Sequence, residues 1–98
     1  MINNNIINYL INERKMTNKV ADGILEKLNR NSDLKAEFHQ WLKTRDFPEN
    51  GIEVEGINAK ALSETTHLSP IGVYTFLIYL REKPEEALVK LKKGLPTK

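Results

Sequence analysis

Cysteine is absent from the sequence. A disulfide framework and a thiolate-bound metal are both excluded, and the chain suits a reducing compartment. Long apolar runs are missing as well. The longest lies within Val73 to Leu80 and is broken by Thr75, well short of the roughly 20 residues a membrane-spanning helix requires. The opening stretch MINNNIINYLINERK carries neither a basic leader nor a small-residue cleavage site, so it reads as structure rather than as a secretion signal. The expected location is the cytoplasm, with no membrane partner.

Catalytic signatures are equally lacking. There is no glycine-rich phosphate loop, no His-Glu-x-x-His, no nucleophile elbow and no calcium loop. Histidine occurs only at His39 and His67, one in each half of the chain. His39 sits beside an aromatic stripe and reads as a boundary residue. His67 joins Thr65, Thr66 and Ser69 in a polar cluster whose hydroxyls are expected to bond free backbone groups at two helix ends. Glu53 and Glu55 read as the solvent side of an extended segment, and Glu85 and Glu86 as a response to a helix dipole. The sequence points away from an enzyme and implies no catalytic residue, no cofactor and no metal.

Charge of one sign does not dominate either. Fifteen basic and thirteen acidic residues leave a net +2. Affinity for nucleic acid rests mainly on phosphate neutralisation by clustered cations, and the visible clustering is confined to Lys90, Lys92 and Lys93.

What is present is a globular balance, 40% apolar and 29% charged over 98 residues. A chain of this size should bury roughly 65% of its unfolded surface, enough for one core without staples. A single domain over 1–98 is expected, its sub-segments 1–46 and 52–98 separated by the turn FPENG, where proline and Asn-Gly reverse the chain.

Four segments show helical spacing. Ile2, Ile6, Ile7, Leu10 and Ile11 line one face of an opening helix and leave the asparagines and Tyr9 around its edges. Thr17 is a natural N-cap for a second helix, with Val20, Ile24, Leu25 and Leu28 in register and Asn29 to Asn31 at its close. Asn31 or Ser32 can cap a third, where Asp33 faces the positive end and Leu34, Phe38, Trp41 and Leu42 make an apolar stripe. The last segment starts at Pro84, carries Glu85 and Glu86 in its first turn, and gathers Lys90, Lys92 and Lys93 before Gly94. Ala87, Leu88 and Leu91 make its docking face, and the tail GLPTK is expected on the surface.

Between these lies IEVEGI, where Ile52 and Val54 alternate with Glu53 and Glu55, the period of a half-buried strand. A lone strand cannot satisfy its own ladder, so the segment is either an extended connector over the helices or an edge that pairs with a partner or a second copy.

From Ala59 to Ile78 the residues AKALSETTHLSPIGVYTFLI resemble the helix-turn-helix of bacterial DNA-binding regulators. The likeness covers about a fifth of the chain. Leu62 and Ser63 take the places of the first helix, Leu68 the apolar place after the turn, and Val73 and Phe76 the buried side of the second helix, which Ser69 caps and Pro70 starts. His67 stands where the pattern usually has glycine. The resemblance implies that the second helix enters a major groove with Ser69, Ile71, Tyr74, Thr75 and Ile78 outward. Base edges are read by Arg, Lys, Asn and Gln, none of which lies between Pro70 and Leu80. Residues 51–79 hold one basic and three acidic side chains, a poor balance against phosphate.

A helix apolar around most of its circumference belongs in an interior or at a subunit contact. The expectation is an all-α chain: a compact bundle of five or six short helices, with a helix-turn-helix-like C-terminal half and at most one short extended segment. Its expected action is association with another protein or with itself, through Ile71, Tyr74, Thr75 and Ile78 if that face is uncovered, or through the Ile52 to Val54 edge. The alternative is a small DNA-binding regulator, with Arg81, Lys83, Lys90, Lys92, Lys93 and Lys98 as its basic face and Arg81, Lys90, Lys92 and Lys93 as the phosphate contacts.

Overall fold

The structure is a computed structural model that describes residues 2–94; the tail beyond Gly94, Lys98 included, lies outside the described residues. The chain is all-α, with six α-helices and one minimal β-hairpin among the described residues. Its contacts fall into two compact units, Met1–Arg45 and Asp46–Lys98.

In the N-terminal unit α1 (Ile2–Asn8) runs straight into a π-helical turn, Tyr9–Glu13, and is followed by α2 (Asn18–Asn29) and α3 (Ser32–Thr44). The π turn is closed by the Arg14 N–H donating five residues back to the Tyr9 carbonyl at 3.1 Å, a wider turn than the α-helix makes. Thr17 caps α2 as its sequence position requires, with Oγ1 accepting from the Val20 N–H at 3.3 Å. Asn31 occupies the cap position of α3, but its side chain reaches backwards and donates from Nδ2 to the Lys27 carbonyl at 2.9 Å. It therefore closes α2 instead.

Ile6, Leu10, Ala21, Leu28, Leu34, Phe38 and Trp41 fill this unit's interior. Tyr9 joins them rather than lying at the helix edge, because its ring meets Phe38 and Trp41 edge-on, each at 5.7 Å. Aromatic rings favour such edge-to-face contact, the positive rim of one against the negative face of another. Val20 and Ile2, expected on inward faces, are 50% and 46% exposed; Ala21 takes the inward place on α2.

The C-terminal unit opens with β1 (Glu53–Val54) and β2 (Ile57–Asn58), antiparallel, with Glu53 opposite Asn58 and Val54 opposite Ile57. The extended stretch thus pairs with its own continuation and not with a distant element. Glu55 and Gly56 form the two-residue turn with φ of 52° and 76°, positive at both places, as the tight hairpin turn that matches strand twist requires. Asn58 ends the hairpin and caps α4 (Ala59–Thr65), accepting from the Ala61 N–H at 2.9 Å.

A turn at 66–69 leads into α5 (Pro70–Glu82), and α6 (Pro84–Lys93) follows after Lys83. The turn is held by hydroxyls: Thr66 Oγ1 donates to the Leu62 carbonyl at 2.7 Å and accepts from the Leu68 N–H at 3.3 Å. His67 is not among the residues with positive φ, since extended Thr66 provides the change of direction. Ser69 caps α5, accepting from the Gly72 N–H at 3.1 Å, and Pro70 occupies the first turn, where its missing N–H costs nothing.

Candidate binding cleft of the N-terminal unit

The residues expected to form a contact face on α5 are interior. Ile71, Tyr74 and Ile78 are 2%, 0% and 1% exposed, because α5 packs against α4, α6 and β1 and the Phe47 ring lies 6.0 Å from that of Tyr74. Thr75 is half-buried and spends its hydroxyl on the Gly72 carbonyl at 3.1 Å. The three apolar side chains of this face are covered and present no contact surface, while Thr75 keeps partial exposure. Burying each large apolar side chain contributes about 1.5–3 kcal/mol, which makes α5 the structural axis of its unit. In the Ile52 to Val54 segment Val54 is buried and one edge of the strand is taken by β2.

The basic residues are placed otherwise. Arg81, Lys90, Lys92 and Lys93 are all exposed. Lys90 holds its ammonium 5.3 Å from the centre of the Tyr79 ring, and the Tyr79 hydroxyl donates to Glu86. Burial raises the Tyr79 pKa, while the same hydrogen bond lowers that of Glu86. This trio fastens α6 to α5 and leaves Lys92 and Lys93 as solvated charges.

A second set of exposed polar groups lies in the other unit, around a cleft of about 290 Å³ between α1 with its π turn and α3. Asn5, Asn8 and Asn12 line one wall and His39 and Lys43 the other, over a floor that includes Tyr9 and Leu42. The cleft is closed at both ends. At one, Asn5 Nδ2 lies 3.3 Å from His39 Nε2; at the other, Arg45 binds both Glu13 carboxylate oxygens, at 3.0 and 2.9 Å. Since Asn5 meets His39 and Glu13 meets Arg45, α1 and α3 run in the same direction along it, which the intervening α2 permits.

Arg45 organises the second end. It sits in the left-handed region at φ 61° as the C-cap of α3, with its N–H donating to the Trp41 carbonyl. Its guanidinium lies 5.0 Å from the Trp41 ring centre and 5.5 Å from that of Tyr9, so the planar cation stacks on the aromatic cluster while its donors hold the carboxylate. The Arg45 hydrogen bonds hold Glu13 below the usual carboxylate range, and Glu13 in turn raises Arg45. Their charges cancel within the cleft.

At the other end the Asn5 amide and the His39 ring bridge the two walls. Burial, followed by nearby positive charges including those of Lys43 and Lys35, lowers the His39 pKa. What remains open is specific. The Asn8 and Asn12 side chains are exposed and make no hydrogen bond among the described residues, and Lys43 has no ion-pair partner among them. A primary amide offers two donors and an acceptor with two lone pairs. The cleft thus presents two such groups and one positive charge on a framework fixed at both ends.

Sequence reasoning left these asparagines at the edge of a helix and His39 as a boundary residue. The spacing of Asn5, Asn8 and Asn12, by three and four, was the available signal, since it puts all three on one helical face. Among the described residues no helix is long and apolar enough to cross a membrane, and no group of three or more His, Cys, Asp or Glu side chains is arranged to hold a metal ion. No protein family, curated protein or solved structure matches this chain.

Proposed function

We propose that this chain is a non-enzymatic helical module of the cytoplasm that acts by binding another protein, and that the partner docks on the cleft between α1 and α3. One observation carries the reading: Asn8 and Asn12 stand exposed and without a hydrogen-bond partner among the described residues, beside Lys43, in a cleft closed at both ends. Small-molecule sites are typically about 300–1,000 Å³ and mostly apolar. A volume of about 290 Å³ walled by asparagines suits the contact of a larger partner better.

Binding to duplex DNA through α4 and α5 is the second reading, favoured by their helix-turn-helix-like succession and by exposed Lys92 and Lys93. Against it, the reading positions Ile71, Tyr74 and Ile78 are buried. Site-specific photo-cross-linking in living cells separates the two. A photoreactive residue at position 8 or 12 is expected to give one discrete protein adduct, and one at position 92 none. Adducts to nucleic acid from position 92, or no adduct from 8 and 12, would remove the cleft reading.

A further inference from the structure

We propose that Asn50 and Gly51 form a site of spontaneous chemical modification, at which the chain converts its own asparagine to aspartyl and isoaspartyl forms through a cyclic imide. The proposal is independent of the cleft and of any partner. The chain has ten asparagines, and only Asn50 precedes a glycine. Six of the others lie in α-helices and Asn12 lies in the π turn. A helix tilts each side chain towards its own N-terminus, away from the amide that follows. Asn31 and Asn58 hold cap positions, their side chains tied by hydrogen bonds to Lys27 and to Glu49 and Ala61. Asn50 differs on each count. It is exposed in the turn ahead of β1, and its side chain makes no hydrogen bond among the described residues.

Once its amide proton is lost, the Gly51 nitrogen attacks Asn50 Cγ. A bond forms between these atoms, the Cγ–Nδ2 bond breaks, and ammonia leaves carrying the proton, which closes a five-membered imide. Glycine suits this closure because it sets no Cβ beside the attacking nitrogen and leaves the backbone free to rotate. Water then opens the ring. Attack at Cγ gives aspartate; attack at the Asn50 main-chain carbonyl carbon leaves Gly51 joined through Cγ and gives isoaspartate, with a main chain longer by one methylene. Ammonia out and water in balance the change.

The position gives the modification a structural consequence. On one side Glu49 is tied down: its carbonyl accepts from Asn58 Nδ2 at 3.3 Å, and its carboxylate lies 3.7 Å from Lys60 Nζ. On the other, β1 begins at Glu53 and is paired with β2. A methylene inserted between these anchors lengthens a loop that is held at both ends. Either product also adds a negative charge to residues 46–58, which hold four acidic side chains and no basic one. The modified chain is less basic and its hairpin looser.

The full chain is incubated at neutral and at mildly alkaline pH and its peptides sequenced by mass spectrometry, with an isoaspartyl methyltransferase marking the isoaspartyl product. Expected is replacement of the amide NH2 by OH at Asn50 ahead of every other asparagine, faster at the higher pH because the attacking nitrogen must lose its proton. Asn50→Gln should remove the change, and Gly51→Ala should slow it about tenfold or more. Gly51 is not among the residues with positive φ, so alanine can adopt its backbone conformation. The isoaspartyl form, separated by ion exchange, is expected to exchange the amides of residues 53–58 faster and those of α5 at the parent rate. Modification that appears first at another asparagine, or a Gly51→Ala rate equal to the parent's, overturns the proposal. Unchanged exchange over residues 53–58 overturns its structural consequence.

Discussion

The two units differ in how much of their helical surface is apolar and in which polar groups stay exposed. In Asp46–Lys98 α5 is apolar around most of its circumference, and the hydroxyls beside and on it bond the backbone: Ser69 to Gly72, Thr66 to Leu62, Thr75 to Gly72. In Met1–Arg45 the interior is a smaller cluster of aliphatic and aromatic side chains, while Asn8, Asn12 and Lys43 remain unspent at a cleft edge. A helix that buries nearly everything holds a fold together; a helix with exposed amides is the one on which the proposed docking rests. The most hydrophobic stretch of the sequence is therefore the least informative about partners.

This contrast can be broken by substitution. Leu77→Ala, at a fully buried site on α5, is expected to cost about 2–5 kcal/mol, whereas Asn8→Ala should stay within about 0.5 kcal/mol; urea denaturation of each variant measures both. Equal costs would remove the division of labour. Next in size, Thr17→Ala and Ser69→Ala each lose a cap and are expected to cost about 1 kcal/mol, seen as shifted midpoints with unchanged slope. Smaller and of opposite sign is Glu55→Gly. With φ at 52° the glutamate bears a backbone conformation that glycine adopts freely, and relief of about 1–2 kcal/mol is partly offset by the greater freedom of unfolded glycine, leaving a gain of about 0.5–1 kcal/mol.

Acid titration sharpens the same comparison, because the groups at both ends of the cleft are shifted. Glu13 is held low by Arg45, and His39 is lowered by burial and by Lys43. Each binds more protons unfolded than folded, so stability rises with pH across each window. The His39 contribution is lost as pH falls from its ordinary 6.5 through the lower folded value. That of Glu13 is lost as pH falls from its ordinary 4.5 through a lower one. His39→Gln should delete the upper step and Glu13→Gln the lower, with denaturation midpoints measured from pH 8 to pH 3.

Much of the helical framework was legible from local chemistry. Thr17, Ser69, Pro70 and Pro84 sit where capping and fixed φ place them, and the acidic-to-basic order of α6 follows the helix dipole. Less local features were not. The Glu55-Gly56 turn lacks the Asn-Gly or Asp-Gly pair that marks a tight hairpin, so the segment read as a lone strand. The π turn has no sequence signature that hydrophobic spacing reveals, and Tyr9, its first residue, is buried. Above all, the cleft depends on tertiary placement: Asn5 and His39 are 34 residues apart and Glu13 and Arg45 are 32 apart. Asparagine spacing marked one wall, but nothing local to it specifies the other.

The most direct measurement is calorimetric titration of the protein cross-linked from position 8 against two variants of this chain, Asn8→Ala/Asn12→Ala and Lys92→Ala/Lys93→Ala. The expected result is a loss of about tenfold or more for the first and no change for the second. The reverse order would place recognition on the C-terminal unit and contradict the account.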